Sequence, residues 1–256
     1  MRLVLLGDPV AHSRSPAIFR AALAAAGIDG RYEGRRVDAA GVYRACAEIR
    51  AGDLHGANVT MPHKAAAAAA ADHLSSDASR CGAANTLAAE EGEVVAYNTD
   101  VGGLRLAREW AGLPPGGPVL VLGSGGAAAA ALVAFEGEPL VVAARRPGAG
   151  ARLAAAVGIE AAEAPWGSAI EGAVLVNATP LGMHGEALPK GVVEAAVGLI
   201  DLPYGGAATP AAEASRRRGK PVADGLDVLV AQAGLSFRIW TGQEPPLAAM
   251  RLAARA

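Results

Sequence analysis

The chain has 256 residues, of which 52% are hydrophobic, and a formal net charge of −2 at pH 7. This length allows one large or two medium domains with a sizeable core, and the absence of a polybasic arm argues against nucleic acid as a partner. No apolar run is long enough for a signal-peptide core or a membrane span, so we expect no membrane partner and a cytoplasmic protein.

Two residue types are rare enough to single out positions. The two cysteines, Cys46 and Cys81, have no metal or redox spacing and are expected to be small buried hydrophobic residues. No metal site is expected. The chain also has only four asparagines, which are Asn58, Asn85, Asn98 and Asn177.

The first part of the chain alternates strands and helices. Strands are predicted at Arg2–Leu6, Tyr32–Val37 and Gly56–Thr60, and helices at Ala17–Ala26 and Ala39–Ala51. This βαβαβ order implies a parallel sheet.

Two serines lie at the start of the first predicted helix. Ser15 is interpreted as its N-cap, with Pro16 at the first helical position. The hydroxyl groups of Ser13 and Ser15 beside a helix N-terminus would form an anion site. The alternative is that Ser15 only caps the helix.

The third strand ends in polar residues, Asn58 and Thr60, and Pro62 is predicted at the first position of the alanine-rich helix Ala65–Ala71. Lys64 then projects from the first helical turn, where cations are disfavoured. Crevices beyond strand carboxyl ends bind ligands in open α/β sheets. Lys64 is therefore a candidate functional residue, and the alternative is a solvated lysine.

A hairpin is predicted next, with strands Thr86–Ala89 and Val94–Tyr97, followed by a helix over Val101–Ala111. Asp100 precedes this helix and is either a functional carboxylate or simply an N-cap, the commonest role of Asp at such a place. The glycine- and proline-rich segment 112–118 is predicted to be the first domain boundary.

The strongest single motif follows an apolar strand, Val119–Leu122, of the kind buried in parallel sheets. The strand runs into the turn Gly123-Ser124-Gly125-Gly126-Ala127 and a helix over Ala128–Glu136. A glycine-rich turn at this place lets backbone N–H groups approach a pyrophosphate. It predicts a dinucleotide site, and the alternative is a tight turn without a ligand.

The next strand, Leu140–Ala144, ends in Arg145 and Arg146. NAD-binding units carry an acid here for the ribose 2′-hydroxyl, whereas arginine suits a 2′-phosphate. NADP(H) is therefore favoured as the cofactor, and a solvated pair of surface arginines is the alternative.

Later strands are predicted at Val174–Val176, Leu199–Leu202 and Pro221–Ala223, and their polar or glycine-rich ends are where a nicotinamide would lie. The last helices are predicted near Val228–Ala233 and Leu247–Ala254. The second of these is expected to return to the first domain.

A series of motifs occurs in order along nearly the whole chain. They are Ser13-x-Ser15-Pro16, Asn58-Val59-Thr60-x-Pro62-x-Lys64, Gly82-Ala83-x-Asn85-Thr86, Asn98-Thr99-Asp100, Gly123-x-Gly125-Gly126-Ala127, Asn177-Ala178-Thr179, Asp201-x-x-Tyr204 and Gly225–Gln232. In this order they resemble the shikimate dehydrogenase family, and every asparagine falls within them.

The resemblance implies a reversible reduction of 3-dehydroshikimate to shikimate by NADPH, in aromatic amino-acid biosynthesis. It implies an α/β fold with an N-terminal substrate-binding parallel-sheet domain, residues 1–100 plus about 236–256, and a Rossmann-type NADP-binding domain, about 101–235. The C-terminal helix would return to the first domain, and the reaction would take place in the cleft between the two. The expected partner is a small-molecule substrate, and the protein is expected to be a monomer or homodimer.

Site residues carry over from the family by motif. Lys64 and Asp100 correspond to the catalytic pair. The substrate contacts correspond to Ser13, Ser15, Asn58, Thr60, Asn85, Tyr204 and Gln232. The cofactor contacts correspond to Gly123, Ser124, Gly125, Gly126, Ala127, Ala144, Arg145, Arg146, Thr179, Leu202 and Gly225.

The chain departs from the family pattern at two places. The family's Asn-Arg-Thr at the adenosine phosphate is Ala144-Arg145-Arg146 here, so the central arginine is kept and its polar neighbours are lost. A usual Met before the Gln-bearing helix is Val228.

The implied chemistry agrees with the residue types. Hydride delivery to a ketone builds negative charge on oxygen, which the Lys64 ammonium group can stabilise and protonate. Three alternatives remain. A quinate or quinate/shikimate dehydrogenase often prefers NAD, against which Arg145 argues. A non-catalytic NADP-sensing protein has no need for Lys64 with Asp100, and a structural protein explains none of the polar strand ends.

Overall fold

The computed structural model describes residues 1–256 and divides into two compact units. The first comprises Met1–Gly103 with Leu229–Ala256, and the second comprises Leu104–Val228. The chain passes between the two units twice, at residues 103–104 and 228–229, and both crossings lie within a helix. Segment 112–118, which the composition marks as a domain boundary, is instead a loop within the second unit.

The first unit is built from these elements, in chain order: β1 Arg2–Gly7, α1 Ser15–Ala25, β2 Arg31–Arg36, α2 Ala39–Arg50, β3 Gly56–Val59, α3 Lys64–Ala70, β4 His73–Leu74, α4 Ser76–Cys81, β5 Thr86–Glu90, β6 Glu93–Tyr97 and α5 Thr99–Trp110. Helix α5 begins in this unit and ends in the second.

The second unit continues with β7 Val119–Leu122, α6 Gly126–Ala134, β8 Leu140–Ala143, α7 Ala149–Val157, β9 Ala162–Ala164, β10 Val174–Asn177, α8 Val192–Ala195, β11 Gly198–Asp201, α9 Pro210–Arg217 and β12 Val222–Ala223. The last helices are α10 Gly225–Thr241 and α11 Leu247–Arg255. None of the helices combines the length and the apolar content needed to cross a membrane.

The first sheet has the strand order β2-β1-β3-β5-β6-β4. Strand β1 pairs in parallel with β2 and β3, which confirms the predicted parallel arrangement for this part. The β5–β6 hairpin is also present, and because it pairs antiparallel with β3, the complete sheet is mixed.

The register of the first sheet defines one polar edge. Asn58 pairs with Leu5 on β1 and with Thr86 on β5, and Thr86 pairs with Tyr97 on β6. The residues that follow β1, β3 and β6 and those that precede β5 therefore meet at this edge.

The second sheet is parallel throughout, with the order β12-β11-β10-β7-β8-β9. The chain winds from β7 to one side through β8 and β9, and to the other side through β10, β11 and β12. This is the strand order of dinucleotide-binding domains, whose ligands bind where the winding reverses. Here the reversal lies between β7 and β10.

Apolar side chains from helices and strands form a core against each sheet. Leu6, Val42 and Leu87 are fully buried in the first unit, as are Leu122 and Leu199 in the second. Such burial is the main favourable contribution to folding.

The two thiols are largely removed from water, as expected of small hydrophobic cysteines. Cys46 is fully buried and Cys81 is partly buried. Burial raises the pKa of Cys46 to about 11 and that of Cys81 to about 12. Both thiols are therefore protonated and poorly nucleophilic at neutral pH.

Two predicted helix starts were wrong. Helix α1 begins at Ser15 itself, so the N-cap position falls on Arg14, whose side chain makes no capping hydrogen bond. The Ser15 N–H donates to Oγ of Ser13 at 3.2 Å. Pro62 lies in a turn rather than in α3, because the His63 N–H donates to the Thr60 carbonyl at 3.0 Å and closes that turn before Lys64.

Helix α10 is much longer than the predicted Val228–Ala233. Gly234, a poor helix former, marks an end in the sequence. In the structure it allows close packing instead, since a Cβ atom there would lie 3.2 Å from Cδ2 of Leu247. The helix therefore continues to Thr241.

Candidate active site

Lys64 and Asp100 form an ion pair at the polar edge of the first sheet. Lys64 opens α3 after β3, and Asp100 lies in the first turn of α5 after β6. Nζ of Lys64 donates to Oδ2 of Asp100 at 2.5 Å. The exposed fractions of the side chains are 23% and 16%, so the pair is partly screened from water and its Coulomb attraction is stronger than at a surface. The solvated-lysine alternative does not describe this geometry.

Asp100 does not act as an N-cap. Its backbone N–H donates to Oδ1 of Asn98 at 3.2 Å, so Asn98 supplies the acceptor at the start of the helix. The carboxylate of Asp100 therefore accepts hydrogen bonds from other side chains instead of from the helix backbone. Its second oxygen, Oδ1, accepts from Nδ2 of Asn85 at 2.9 Å.

Asn85 extends the pair into a chain of polar groups. Its Nδ2 also donates to Oε1 of Gln232 on α10, at 3.0 Å. Lys64, Asp100, Asn85 and Gln232 are thus joined by consecutive hydrogen bonds. The structure brings together four residues that the sequence assigns to catalysis or substrate contact.

Asn58 is buried beside this chain, with its hydrogen bonds made inside the protein. Its Oδ1 accepts from the Tyr32 hydroxyl at 2.8 Å, and its Nδ2 lies 3.0 Å from both the Asn85 carbonyl and Oγ1 of Thr86. It therefore ties β3 to the start of β5, and its contact with substrate stays a prediction.

Three buried hydroxyl groups complete the cluster. Thr86 and Thr99 lie within the quoted motifs and Ser236 does not, and the sequence predicts a site role for none of the three. Oγ of Ser236 lies 2.8 Å from Oγ1 of Thr86 and 3.2 Å from Oγ1 of Thr99. Ser236 is four residues after Gln232, on the same face of α10. That spacing is the signal that could have found it, but the predicted helix stopped before it.

Ser13, Ser15 and Thr60 lie after β1 and β3, at the same edge of the sheet. The hydroxyl groups of Ser15 and Thr60 have no hydrogen-bond partner in the protein, and no hydrogen bond joins any of the three residues to Lys64 or Asp100. The alternative that Ser15 serves only as a cap is wrong, since its side chain caps nothing.

The second unit has its own polar edge, at the carboxyl ends of β7, β8 and β10. Gly123 has φ +123°, and a Cβ atom there would lie 2.8 Å from the Ala178 carbonyl oxygen, so only glycine fits. A Cβ on Gly125 or Gly126 would meet nothing within 4 Å, and no side chain caps α6. The helix N-terminus is therefore open to an anion.

Arg145 and Arg146 follow β8 with exposed side chains that make no hydrogen bond or ion pair. Ala144 before them is buried. Two uncommitted guanidinium groups near an open helix N-terminus suit a phosphorylated ligand.

The ends of β10 and β11 are joined by a buried polar group. Thr179 donates to Oδ1 of Asn177 at 2.7 Å, and Nδ2 of Asn177 donates to Oδ1 of Asp201 at 2.7 Å. The hydroxyl group of Thr209 donates to the other oxygen of Asp201. Asp201 is fully buried, and this desolvation raises its pKa despite the two donated hydrogen bonds.

The remaining predicted residues lie near this group in the chain. The Leu202 N–H donates to the Asn177 carbonyl at 3.1 Å, and a Cβ on Gly225 would lie 2.4 Å from the Leu202 carbonyl oxygen. Gly225 therefore permits a close approach of α10 to the end of β11. Tyr204 follows β11 within the second unit.

Comparisons with known proteins identify the relatives of this chain. Residues 5–87 match the family described as the shikimate dehydrogenase substrate binding domain, and residues 225–255 match the shikimate 5'-dehydrogenase C-terminal domain. A shikimate dehydrogenase (NADP(+)) of Thermus thermophilus is 37% identical over 260 residues, which cover 100% of this chain and 98% of that protein. The chain belongs to the shikimate dehydrogenase family.

A second relative, from an Anaeromyxobacter species, is 38% identical over 97% of this chain and 94% of its own length. The crystal structure of a Thermus thermophilus shikimate 5-dehydrogenase in complex with NADP(H) and shikimate has a TM-score of 0.91 and 36% identity, covering 100% of this chain and 98% of that one. The resemblance read from the motifs and the α/β fold are both confirmed.

One solved neighbour carries a different name. A 5-ketofructose reductase of Gluconobacter in its ligand-free form has a TM-score of 0.89 and 26% identity, covering 99% of this chain and 97% of that one. The same fold therefore carries reductases named for different substrates, and the substrate must be argued from the site residues.

Proposed function

We propose that this chain is an NADP-dependent shikimate dehydrogenase, which catalyses the reversible reduction of 3-dehydroshikimate to shikimate in the shikimate pathway. The observation that carries this proposal is the Lys64–Asp100 ion pair at 2.5 Å, joined to Asn85 and Gln232 by hydrogen bonds. The family relationship and the full-length identity to shikimate dehydrogenases (NADP(+)) support it.

Lys64 acts as the general acid of the proposed reaction. When bound, NADPH supplies the hydride. As negative charge develops on the substrate's carbonyl oxygen, the Lys64 ammonium group stabilises it and donates a proton. Asp100 holds Lys64 at one place through the hydrogen bond from Nζ to Oδ2. Water reprotonates Lys64, or in the reverse direction Lys64 receives the proton of the substrate hydroxyl.

The substrate's polar groups match the side chains around the pair. The unpartnered hydroxyl groups of Ser15 and Thr60 are free to bind a ligand, and we assign Ser13 and Ser15 to the carboxylate, as hydroxyl groups beside the start of α1. We assign Gln232 and Asn85 to the ring oxygens, because amide groups suit hydroxyl ligands. Asn58 holds Asn85 in place, because Nδ2 of Asn58 donates a hydrogen bond to the backbone carbonyl of Asn85.

The second unit would hold the cofactor. The open N-terminus of α6, with Gly123–Ala127, would receive the pyrophosphate, since uncapped backbone N–H groups bind anions. Arg145 is assigned to the 2′-phosphate because it corresponds to the central arginine of the family motif and its guanidinium group, like that of Arg146, has no other partner. Thr179, Leu202 and Gly225 are assigned to the nicotinamide half. Thr179 and Leu202 follow β10 and β11, and Gly225 lies against the Leu202 carbonyl group, which supports this assignment.

The proposed setting is the cytoplasm, which the composition favours, and the proposed assembly is a monomer or homodimer. Sedimentation at several protein concentrations would distinguish these two states. A mass equal to three or more chains would contradict this assignment.

One assay tests the proposed function. The purified protein is given NADPH with 3-dehydroshikimate, and the loss of absorbance of the reduced nicotinamide is followed. Parallel reactions contain NADH in place of NADPH, or 3-dehydroquinate or 5-ketofructose in place of 3-dehydroshikimate. We expect the highest kcat/KM with NADPH and 3-dehydroshikimate.

The other outcomes each point to a different function. A preference for 3-dehydroquinate with NADH would indicate a quinate dehydrogenase. A preference for 5-ketofructose would place the chain with the Gluconobacter enzyme. Tight NADPH binding without turnover of any ketone would indicate a sensing protein, and each of these results would overturn the proposal.

A further inference from the structure

The orientation of the Asn85 amide group is fixed by two partners of opposite polarity. The Thr99 backbone N–H can only donate, and it lies 2.8 Å from Oδ1 of Asn85. The Asp100 carboxylate, beside the Lys64 ammonium group, accepts from Nδ2 at 2.9 Å. Oxygen and nitrogen of an amide group are usually distinguished only by such partners. In Asn85, the donor at one end and the acceptor at the other both require the same orientation, with Oδ1 towards the Thr99 N–H and Nδ2 towards Asp100.

This orientation determines that of Gln232. The second N–H of Asn85 is directed at Gln232, and the two amide groups approach to 3.0 Å. The atom of Gln232 that faces Asn85 must therefore be the acceptor Oε1. The hydroxyl group of Thr99 lies 3.1 Å from Oδ1 of Asn85 and 3.3 Å from the same Oε1, so its one proton meets the acceptor end of either amide group.

The opposite end of Gln232 is consequently a pair of donors. Because Nε2 of Gln232 has no hydrogen bond within the protein and the residue is partly exposed, this end is available to water or to a ligand. A ligand atom that meets it must be a hydrogen-bond acceptor.

We propose that Thr99 is a positioning residue for substrate recognition, which acts by fixing the amide orientation of Asn85 and Gln232 so that Gln232 presents two N–H donors to an oxygen atom of the substrate. This proposal rests on the proposed function, in which the substrate is a hydroxylated ring. Thr99 and Asp100 are adjacent, so one helical turn provides both the fixed donor and the fixed acceptor.

A kinetic comparison tests the role of the Thr99 hydroxyl group. Thr99→Val removes this hydroxyl while keeping the backbone N–H and the branched shape. We expect the KM for shikimate to rise roughly two- to tenfold, the effect of one hydrogen bond, with kcat and the KM for NADP+ within about twofold of wild type. Thr99→Ser should restore most of the loss.

A double mutant separates positioning from general stability. If Thr99 acts through Gln232, Thr99→Val should change the KM for shikimate less than about 1.5-fold when Gln232→Ala is already present. Asp38→Ala removes the N-cap of α2, whose carboxylate bonds to Gly41 and Arg44 and not to this cluster, so it should lower stability and leave the KM unchanged. Additive effects of Thr99→Val and Gln232→Ala would overturn the proposal.

Exchange of side-chain amide protons tests the orientation without any activity. In the ligand-free protein, the Nδ2 protons of Asn85 should exchange slowly with solvent, and the Nε2 protons of Gln232 should exchange quickly. Gln232→Glu replaces the donors by an acceptor of the same shape, and it should weaken shikimate binding more than Gln232→Met does.

Slow exchange at Gln232 with fast exchange at Asn85 would overturn the inference even in an active enzyme. Equal or tighter binding of shikimate by Gln232→Glu would overturn it as well. A wild-type protein that shows the expected exchange but does not bind shikimate would contradict the proposed function and the substrate part of this inference, while the amide orientation would stand.

Discussion

The Lys64 ammonium group and the Asp100 carboxylate are 36 residues apart in the chain and share a hydrogen bond of 2.5 Å. They meet because α3 and α5 both begin at the polar edge of the first sheet, one after β3 and the other after β6. A cation at a helix N-terminus is unfavourable by itself, and the neighbouring carboxylate offsets that cost.

Replacing Lys64 tests the proposed mechanism directly. Lys64→Met keeps the length and apolar character of the side chain but removes the proton donor. We expect kcat to fall by ~10²–10⁴-fold, with a modest change in shikimate affinity, because the charge develops mainly in the transition state. Steady-state kinetics with both substrates measure the two effects.

Lys190→Met is the matched control, since Lys190 is exposed and makes no ion pair, and it should behave as wild type. Lys64→Arg should rescue little, because a guanidinium group does not release its proton readily and has a different shape. Asp100→Asn should also be severely impaired, and Lys64→Met with Asp100→Asn should be scarcely worse than Lys64→Met. Turnover of Lys64→Met within about threefold of wild type would refute this role.

Arg145 is expected to decide the choice of cofactor. One charge-assisted hydrogen bond is worth roughly 1.5–3 kcal/mol, so Arg145→Ala should weaken NADPH binding by about one to two decades. NADH binding should stay nearly the same, since NADH has no 2′-phosphate. Fluorescence titration of both cofactors measures these changes.

Arg146→Ala is the natural control, because Arg146 is the exposed neighbour with an equally uncommitted side chain. It should have a smaller effect than Arg145→Ala. If the wild type bound both cofactors equally well, or if Arg146→Ala had the larger effect, the assignment of the 2′-phosphate to Arg145 would fail.

The two serines at the start of α1 should affect binding more than stability. Ser15 makes no capping hydrogen bond, but Oγ of Ser13 accepts from the Ser15 N–H at 3.2 Å, so the double change Ser13→Ala with Ser15→Ala should cost no more than that one bond, about 0.5–1.5 kcal/mol. The same change should raise the KM for shikimate far more than the KM for NADP+. Unfolding curves and kinetics on one preparation measure both.

Ser75→Ala provides the comparison, since Oγ of Ser75 does cap α4 by accepting from the Ala78 N–H at 3.3 Å. It should cost about 0.5–2 kcal/mol of stability and leave the kinetics alone. A loss of stability in the double serine variant with unchanged kinetics would show that these residues are structural.

Much of the fold could be predicted from local pattern. The strand Val119–Leu122 was predicted to the residue, because its apolar run ends sharply at Gly123. Lys64 was placed correctly in the first turn of α3, since the alanine run leaves no other conformation favourable. In both cases the signal lies within a few consecutive residues.

Two features could not be predicted, the full length of α10 and the buried hydroxyl groups, because they depend on contacts between residues far apart in the chain. The predicted helix stops at Ala233, before Gly234, whereas α10 continues through this glycine, where a Cβ atom would lie 3.2 Å from Cδ2 of Leu247. The hydroxyl groups of Thr86, Thr99 and Ser236 meet across three elements. The motifs contain Thr86 and Thr99, and helical spacing relates Ser236 to Gln232, but neither pattern shows that the three hydroxyl groups meet, so the sequence predicts no site role for them.

The buried carboxyl group of Asp201 should make stability depend on pH. Desolvation raises its pKa above the ordinary value of 3.8, so the folded state holds this proton more tightly than the unfolded state. Its contribution to stability is therefore present at low pH and falls as the pH rises through the raised pKa. Asp201→Asn should remove this loss, so its stability should rise relative to that of the wild type as the pH increases above the ordinary value of 3.8.

Thermal unfolding at a series of pH values measures the effect. Asp53→Asn is the control, because the Asp53 side chain is 68% exposed, and this variant should follow the wild-type curve. If Asp201→Asn lost stability by the same amount at every pH, the carboxyl group would serve only through its hydrogen bonds to Asn177 and Thr209.

Synthesis from the amino terminus delivers the two halves of the polar cluster at different times. Asn85 and Asp100 leave the ribosome before the whole of Leu104–Val228, whereas Gln232 and Ser236 emerge after it. Since domains generally fold as units during synthesis, the second unit can form while the first still lacks α10 and α11. The nascent chain would thus gain a cofactor-binding domain before it gains a finished substrate site.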